Sequence, residues 1–259
     1  MKIVVPTDFS KNSIDALHYA AEIALAHEGE LHIVTAYEKP YSTRGSLVSL
    51  RKKLERDAED KMEKLKAKLN EREKMPRFEV YVREDSPVEL VVRAVEHLEA
   101  SLVVMGTKGA SGLQGYLMGS TASAVIEKSP CPVLAVPAGA TFEGWSNIVY
   151  AADLQDANPQ FGKELLNMSA PFGSAVRVVH VTSDTDGKKA NATMDELKSA
   201  LTAESGNRTM HFDFQEGKDI QEGIFAYIEA NSSDLLAMVT KRRTLIGKLF
   251  DRSLTTQLA

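Results

Sequence analysis

Two stretches of this chain carry nearly the same pattern: MKIVVPTDFSKN at the start and WSNIVYAADLQD from Trp145 to Asp156, with Asp153 falling where Asp8 falls. The succession that follows each is also shared. Leu31–Tyr37 is echoed by Ala175–Thr182, the third strand-like segment by Arg208–Phe214, and Ser101–Met105 by Asp234–Met238. Self-similarity on this scale means two like domains in tandem. A chain of 259 residues, 43% of them hydrophobic, holds enough apolar material for two small cores or one large one. The repeat decides for two: residues 1–138 and residues 145–259, joined by the short linker Ala138–Gly144.

Strand and helix signals alternate within the first repeat. Ile3–Pro6 is a short apolar run, and helical spacing follows at Ile14, Leu17, Ala21, Ala24 and Leu25. Leu31–Ala36 reads as a second strand. Residues 45–73 predict a long charged helix with an apolar stripe through Leu47, Leu50, Leu54, Ala58, Met62, Leu65 and Leu69. Phe78–Val82 alternates as a third strand. Ser86 and Pro87 supply an N-cap and a proline at the first helical position, opening a helix to about Leu98. Leu102–Met105 and Val133–Val136 complete the set. Alternating β and α units predict an α/β fold, a mainly parallel sheet with helices on both faces.

Between the fourth strand and the next helix lies MGTKGASGLQGYLMGS, Met105 to Ser120. Glycines allow close backbone approach and positive φ. A helix N-terminus offers unpaired N–H groups and a favourable dipole to an anion. The combination suits a phosphorylated ligand, most simply a nucleotide. Neither GxxxxGK[ST] nor GxGxxG is present. The spacing Gly-x-x-Gly-x9-Gly-Ser, from Gly106 through Gly109 to Gly119 and Ser120, instead resembles the ATP-binding pattern of the universal stress protein family. IVVPTDFS (Ile3–Ser10), LHIVTAY (Leu31–Tyr37) and SPCPVLAVP (Ser129–Pro137) resemble that family in the same order. The resemblance covers about residues 1–137.

The resemblance implies two doubly wound, Rossmann-like domains of strand order 3-2-1-4-5, with ligand bound where the winding reverses. It implies ATP in the first domain, with Mg²⁺ carried on the phosphates. Pro6, Thr7 and Asp8 would face the adenosine, and Val34 and Thr35 would offer backbone groups along the adenine. Met105 and Gly106 would lie near the base and ribose, while Gly109, Gly119, Ser120 and Thr121 would hold the phosphates. Asp8 also reads as a cap for the first helix, and Ser120 as a plain N-cap; neither role excludes ligand. Lys108 serves equally as a phosphate contact or a solvated loop lysine. Gly112 and Gly115 read as flexibility in the loop. The second repeat departs here: Val239 replaces Gly106, Arg242 replaces Gly109 and Arg252 replaces Gly119, leaving only Ser253 matching Ser120. It is expected to be a degenerate partner without nucleotide, and no fifth strand is read after Met238.

Other chemistries find little support. The net charge of −5 gives no bias toward nucleic acid. The charged run Arg51–Lys74 mixes both signs and reads as a solvated helical face, and Lys241-Arg242-Arg243 as an exposed basic loop. His18, His27, His32, His97, His180 and His211 show no short metal-ligand spacing. The single Cys131 reads as a structural thiol. No membrane-length apolar run occurs, so a cytoplasmic protein is expected. Pairing of the two halves as a pseudo-dimer through the apolar segment Cys131–Val136 is expected, with a homodimer as the alternative. No general base stands out beyond Asp8. The expected role is nucleotide-dependent regulation in stress response; a slow adenine-nucleotide hydrolase and a non-binding dimerisation module are the competing readings.

Overall fold

Strands and helices alternate along the whole chain in the computed structural model, which describes residues 1–38, 47–107, 118–155, 157–182, 188–217 and 219–239. The chain divides into two units between Phe142 and Glu143. The first contains β1 (Lys2–Pro6), α1 (Lys11–Ala26), β2 (Glu30–Tyr37), α2 (Leu47–Asn70), β3 (Arg77–Glu84), α3 (Pro87–Leu98), β4 (Leu102–Gly106), α4 (Ser120–Lys128) and β5 (Val133–Val136). Its sheet is parallel, in the order β3-β2-β1-β4-β5. This is the expected doubly wound fold. α1 packs across β1 and β4, and α2 lies over β2 and β3. Arg72, just beyond α2, bonds His18 Nδ1 and pairs with Glu22 at 3.7 Å, tying the two helices together. α3 and α4 cover the other face, burying Leu90, Val91, Val95 and Val125 against Val4, Val34, Val103 and Met105. That division follows from right-handed crossovers on either side of β1.

Local chemistry explains the ends of these helices. Ser86 Oγ accepts the Glu89 N–H and Pro87 opens α3, as its sequence predicts. The charged α2 buries Ala58, Met62, Leu65 and Leu69 and leaves its other faces in water. β5 forms one edge of the sheet, and Val133, Leu134 and Ala135 are only half-buried. Cys131 stands just before it, half-buried, with its Sγ 3.7 Å from Ser129 Oγ. Burial pushes this thiol up, so less of it is thiolate at any given pH. Iodoacetamide at pH 8 is expected to alkylate Cys131 at least about tenfold more slowly in the folded chain than in urea. Equal rates, followed by mass spectrometry, would place this thiol in open solvent.

The second unit repeats the pattern with β6 (Asn147–Ala151), α5 (Pro159–Ser169), a 3-10 turn (Ala170–Phe172), β7 (Ala175–Thr182), α6 (Lys188–Ser205), β8 (Met210–Glu216), α7 (Ile220–Ala230) and β9 (Leu235–Met238). Its described strands are parallel and ordered β8-β7-β6-β9, the first sheet's order without its last strand. Register repeats as well. Lys2 pairs with Glu30 as Asn147 pairs with Ala175, and the Ser101 N–H donates to Lys2 O (3.0 Å) as the Asp234 N–H donates to Asn147 O (2.9 Å). The expected absence of a fifth strand concerns residues after Val239, which lie outside the described ones. Trp145, the lone tryptophan, is 1% exposed and meets Phe172 edge-on at 5.0 Å. Its carbonyl accepts the Ser174 hydroxyl (2.5 Å). Tyr227 donates to Asp213, and burial together with that carboxylate pushes the phenol up to about 12.

Candidate functional site

In a doubly wound sheet the crevice opens beyond the carboxyl ends of the strands, where the winding reverses. Here the reversal falls between β1 and β4. Pro6 ends β1, and the Thr7 N–H extends the ladder by donating to Val34 O (2.9 Å). Thr7 is buried. Its hydroxyl shares a hydrogen bond with Ser13 Oγ (3.0 Å) and accepts the Phe9 N–H (3.0 Å). Phe9 sits at φ 65, a left-handed conformation that is uncommon for a bulky residue. The turn it makes leaves Asp8 exposed, with Oδ1 accepting the Ser10 N–H (3.0 Å). The N-cap of α1 is therefore Ser10, whose Oγ accepts the Ser13 N–H (3.3 Å), not Asp8.

The other side of the crevice is built from β4, β5 and α4. Gly106 ends β4 in register with Val136, and the Thr107 N–H donates to Val136 O (3.1 Å). The Thr107 carbonyl in turn accepts the Gly119 N–H (2.8 Å), tying the end of β4 to the start of α4. Gly109, Lys108, Gly112 and Gly115 fall between these two residues, outside the described ones. α4 starts at Ser120 with Gly119 as N-cap, so Ser120 is the first helical residue rather than the cap. Ser120 and Thr121 are exposed on this first turn.

The expectation of positive φ changes at both glycines. Gly119 has φ −62 and ψ 150, an extended conformation open to any residue. Gly106 is not in the left-handed region either, and a Cβ there would stand 2.6 Å from Asn12 Oδ1. Close packing against α1 is by itself enough to require a glycine there. On β2, Val34 and Thr35 are buried, with the Val34 side chain in the α3 core and its carbonyl already bonded to Thr7. Met105 is likewise a core residue.

What α4 lacks is as informative as what it has. Ser10, Ser86, Asn158 and Asp219 cap α1, α3, α5 and α7 through their side chains; Gly119 has none to offer. Among the described residues the first-turn N–H groups of α4 thus meet no side-chain cap, and the positive end of its dipole faces the crevice. Beside it, Thr107 is 3% exposed and its hydroxyl has no hydrogen-bond partner among the described residues. Asn12, Ser13 and Thr107 are crevice residues that pattern reading passes over. Asn12 and Ser13 could have been noticed as polar residues on the apolar stripe of α1.

The matching region of the second unit is filled differently. Counting along the paired registers, Ala152 stands for Thr7 and His180 for Thr35. Ala152 N–H keeps the bond to Val179 O (2.9 Å), and Asp153 Oδ1 accepts the Gln155 N–H (3.0 Å) as Asp8 does from Ser10. His180 Nδ1 lies 2.8 Å from Ala152 O, and its ring packs edge-on against Phe214. Among the described residues there is no group of three His, Cys, Asp or Glu side chains that could hold a metal ion, and no helix long and apolar enough to cross a membrane.

Fold and crevice together define a pair of doubly wound α/β units, the first with an anion-ready helix terminus at its switch point. A model of the universal stress protein family matches residues 1–137, and the chain belongs to that family. A universal stress protein of Methanocaldococcus jannaschii is 33% identical over 139 residues, which cover 52% of this chain and 81% of that protein. One from Thermus aquaticus is 31% identical over 137 residues, covering 52% and 96%. A crystal structure of a universal stress protein from Archaeoglobus fulgidus shares the fold along nearly the whole chain, with TM-score 0.75, 18% identity, and coverage of 98% of this chain and 95% of that one.

Proposed function

We propose that the first unit binds an adenine nucleotide, ATP with its Mg²⁺, and that the second does not, so that the protein acts as a nucleotide-dependent regulator in stress response. The observation that carries this reading is the uncapped start of α4 at the switch point. The residues present fit such a ligand. Ser120 and Thr121 offer hydroxyls beside first-turn N–H groups that the N-cap residue leaves without a side-chain bond, and the buried Thr107 hydroxyl adds one more donor. Asp8, an exposed carboxylate, suits the ribose hydroxyls or the cation better than a phosphate. With no three-residue ligand cluster among the described residues, Mg²⁺ would be held largely by the phosphates themselves. In the second unit, Val239 and His180 stand where Gly106 and Thr35 would be, which supports binding by the first unit alone. Mass spectrometry of small molecules released from the purified chain is expected to find an adenine nucleotide. Purified protein that carries none and takes up none would sink the reading.

The half-buried apolar edge of β5 supports association through that strand, either between the two halves or between copies. Leu134→Lys places a charge on that edge and is expected to turn a dimer into a monomer in light scattering. A wild type that is monomeric at high concentration would leave only pairing within the chain.

A further inference from the structure

We infer that Asn12 positions the carboxyl ends of β4 and β5, and that Gly106 is a glycine because a side chain there would collide with Asn12. A Cβ at position 106 would lie 2.6 Å from Asn12 Oδ1, 2.8 Å from its Cγ and 3.0 Å from its backbone oxygen. Real Cβ atoms do not come that close, so one partner would have to move. Asn12 has nowhere to go: it is 7% exposed on the buried side of α1, and its Nδ2 donates to Val136 O (3.3 Å).

That carbonyl is a junction. Val136 O also accepts the Thr107 N–H (3.1 Å), and Thr107 O accepts the Gly119 N–H (2.8 Å). A continuous set of hydrogen bonds therefore runs from the first turn of α1, across the end of β5, to the cap residue of α4. A buried amide that satisfies part of such a network fixes its geometry more tightly than apolar contact would. Asn12 acts on the phosphate side of the crevice through this route and does not itself need to touch ligand.

The second unit supplies an internal comparison. Counting from Asp8 and Asp153, Ala157 stands for Asn12, and along the β1–β4 and β6–β9 registers Val239 stands for Gly106. α5 begins only at Pro159, so the helical turn that presents Asn12 in α1 is missing. The buried positions agree with this count, since Leu165, Leu166 and Ser169 follow Ala20, Ala21 and Ala24. Asparagine with glycine in one unit becomes alanine with valine in the other.

The test is a double-variant cycle on the full chain, with thermal melting and with calorimetry against ATP and adenosine at 20 °C. Gly106→Ala is expected to lower the first unit's melting temperature by about 5 °C. Asn12→Ala combined with Gly106→Ala should recover at least half of that loss, because the tightest contacts are gone. Losses that simply add would overturn the pairing. Asn12→Ala alone is expected to weaken ATP binding by about tenfold while adenosine stays within twofold, since the lost bond serves the phosphate side. Equal weakening of both ligands, or of neither, would overturn the positioning role. The ligand measurements rest on the nucleotide reading above, but the melting cycle does not. A wild type that binds no ATP would remove that reading and leave the Asn12–Gly106 pair to be decided by melting. If Gly106→Ala does not fold, recovery of folded double variant confirms the pair, and failure of both refutes it.

Discussion

Gly119→Asp is expected to make the chain slightly more stable and to abolish its affinity for ATP. Gly119 holds φ −62 and ψ 150, close to the −67 and 158 of Ser10 and the −76 and 144 of Ser86, both of which cap their helices through a side chain. Aspartate fits that conformation without strain and would accept a first-turn N–H of α4. Relative to glycine the cap contributes a few tenths of a kcal/mol, and the negative charge at the helix N-terminus adds about 0.3–1 kcal/mol. The same carboxylate would occupy the donors meant for phosphate. Two like charges about 4 Å apart near a protein surface repel by roughly 4 kcal/mol, so affinity should fall by at least about 100-fold. Gly119→Ser caps without charge and should cost far less. Calorimetry and thermal melting on the three proteins decide it. Wild-type affinity in a folded Gly119→Asp variant would remove α4 from the site.

Trp145→Ala is expected to destabilise the second unit by about 3–5 kcal/mol, the usual cost of emptying a buried aromatic site. Trp145 is fully packed, meets Phe172 at 5.0 Å and anchors the Ser174 hydroxyl through its carbonyl. Urea unfolding followed by circular dichroism measures the loss. If the first unit alone carries the nucleotide, ATP affinity below the transition stays within about twofold of wild type. A loss under 1 kcal/mol would mean that Trp145 is not a core residue of this unit.

The architecture was readable because it is periodic. Apolar runs of strand length, the long stripe on α2 and the Ser86-Pro87 start of α3 each have a local cause, and the echo of the Asp8 segment at Asp153 marks the start of the second unit. What escaped depends on contacts between residues distant in the chain. Asp8 and Ser10 are both good cap residues; Ser10 caps because Thr7 continues the β1 ladder to Val34 and Phe9 turns into the left-handed region before α1 begins. A Cβ at Gly106 would collide with Asn12, which no local pattern links to it. In the second unit the His180 ring, in register with Thr35, is spent on Ala152 O, a substitution visible in the sequence whose consequence appears only when the strands are aligned.

The most direct measurement of the central claim is the stoichiometry of ATP on the intact chain, by native mass spectrometry with Mg²⁺ present. One ATP per chain, lost on Gly119→Asp and retained on His180→Ala, is the expected result. Two per chain, or none, would contradict the assignment of nucleotide binding to the first unit alone.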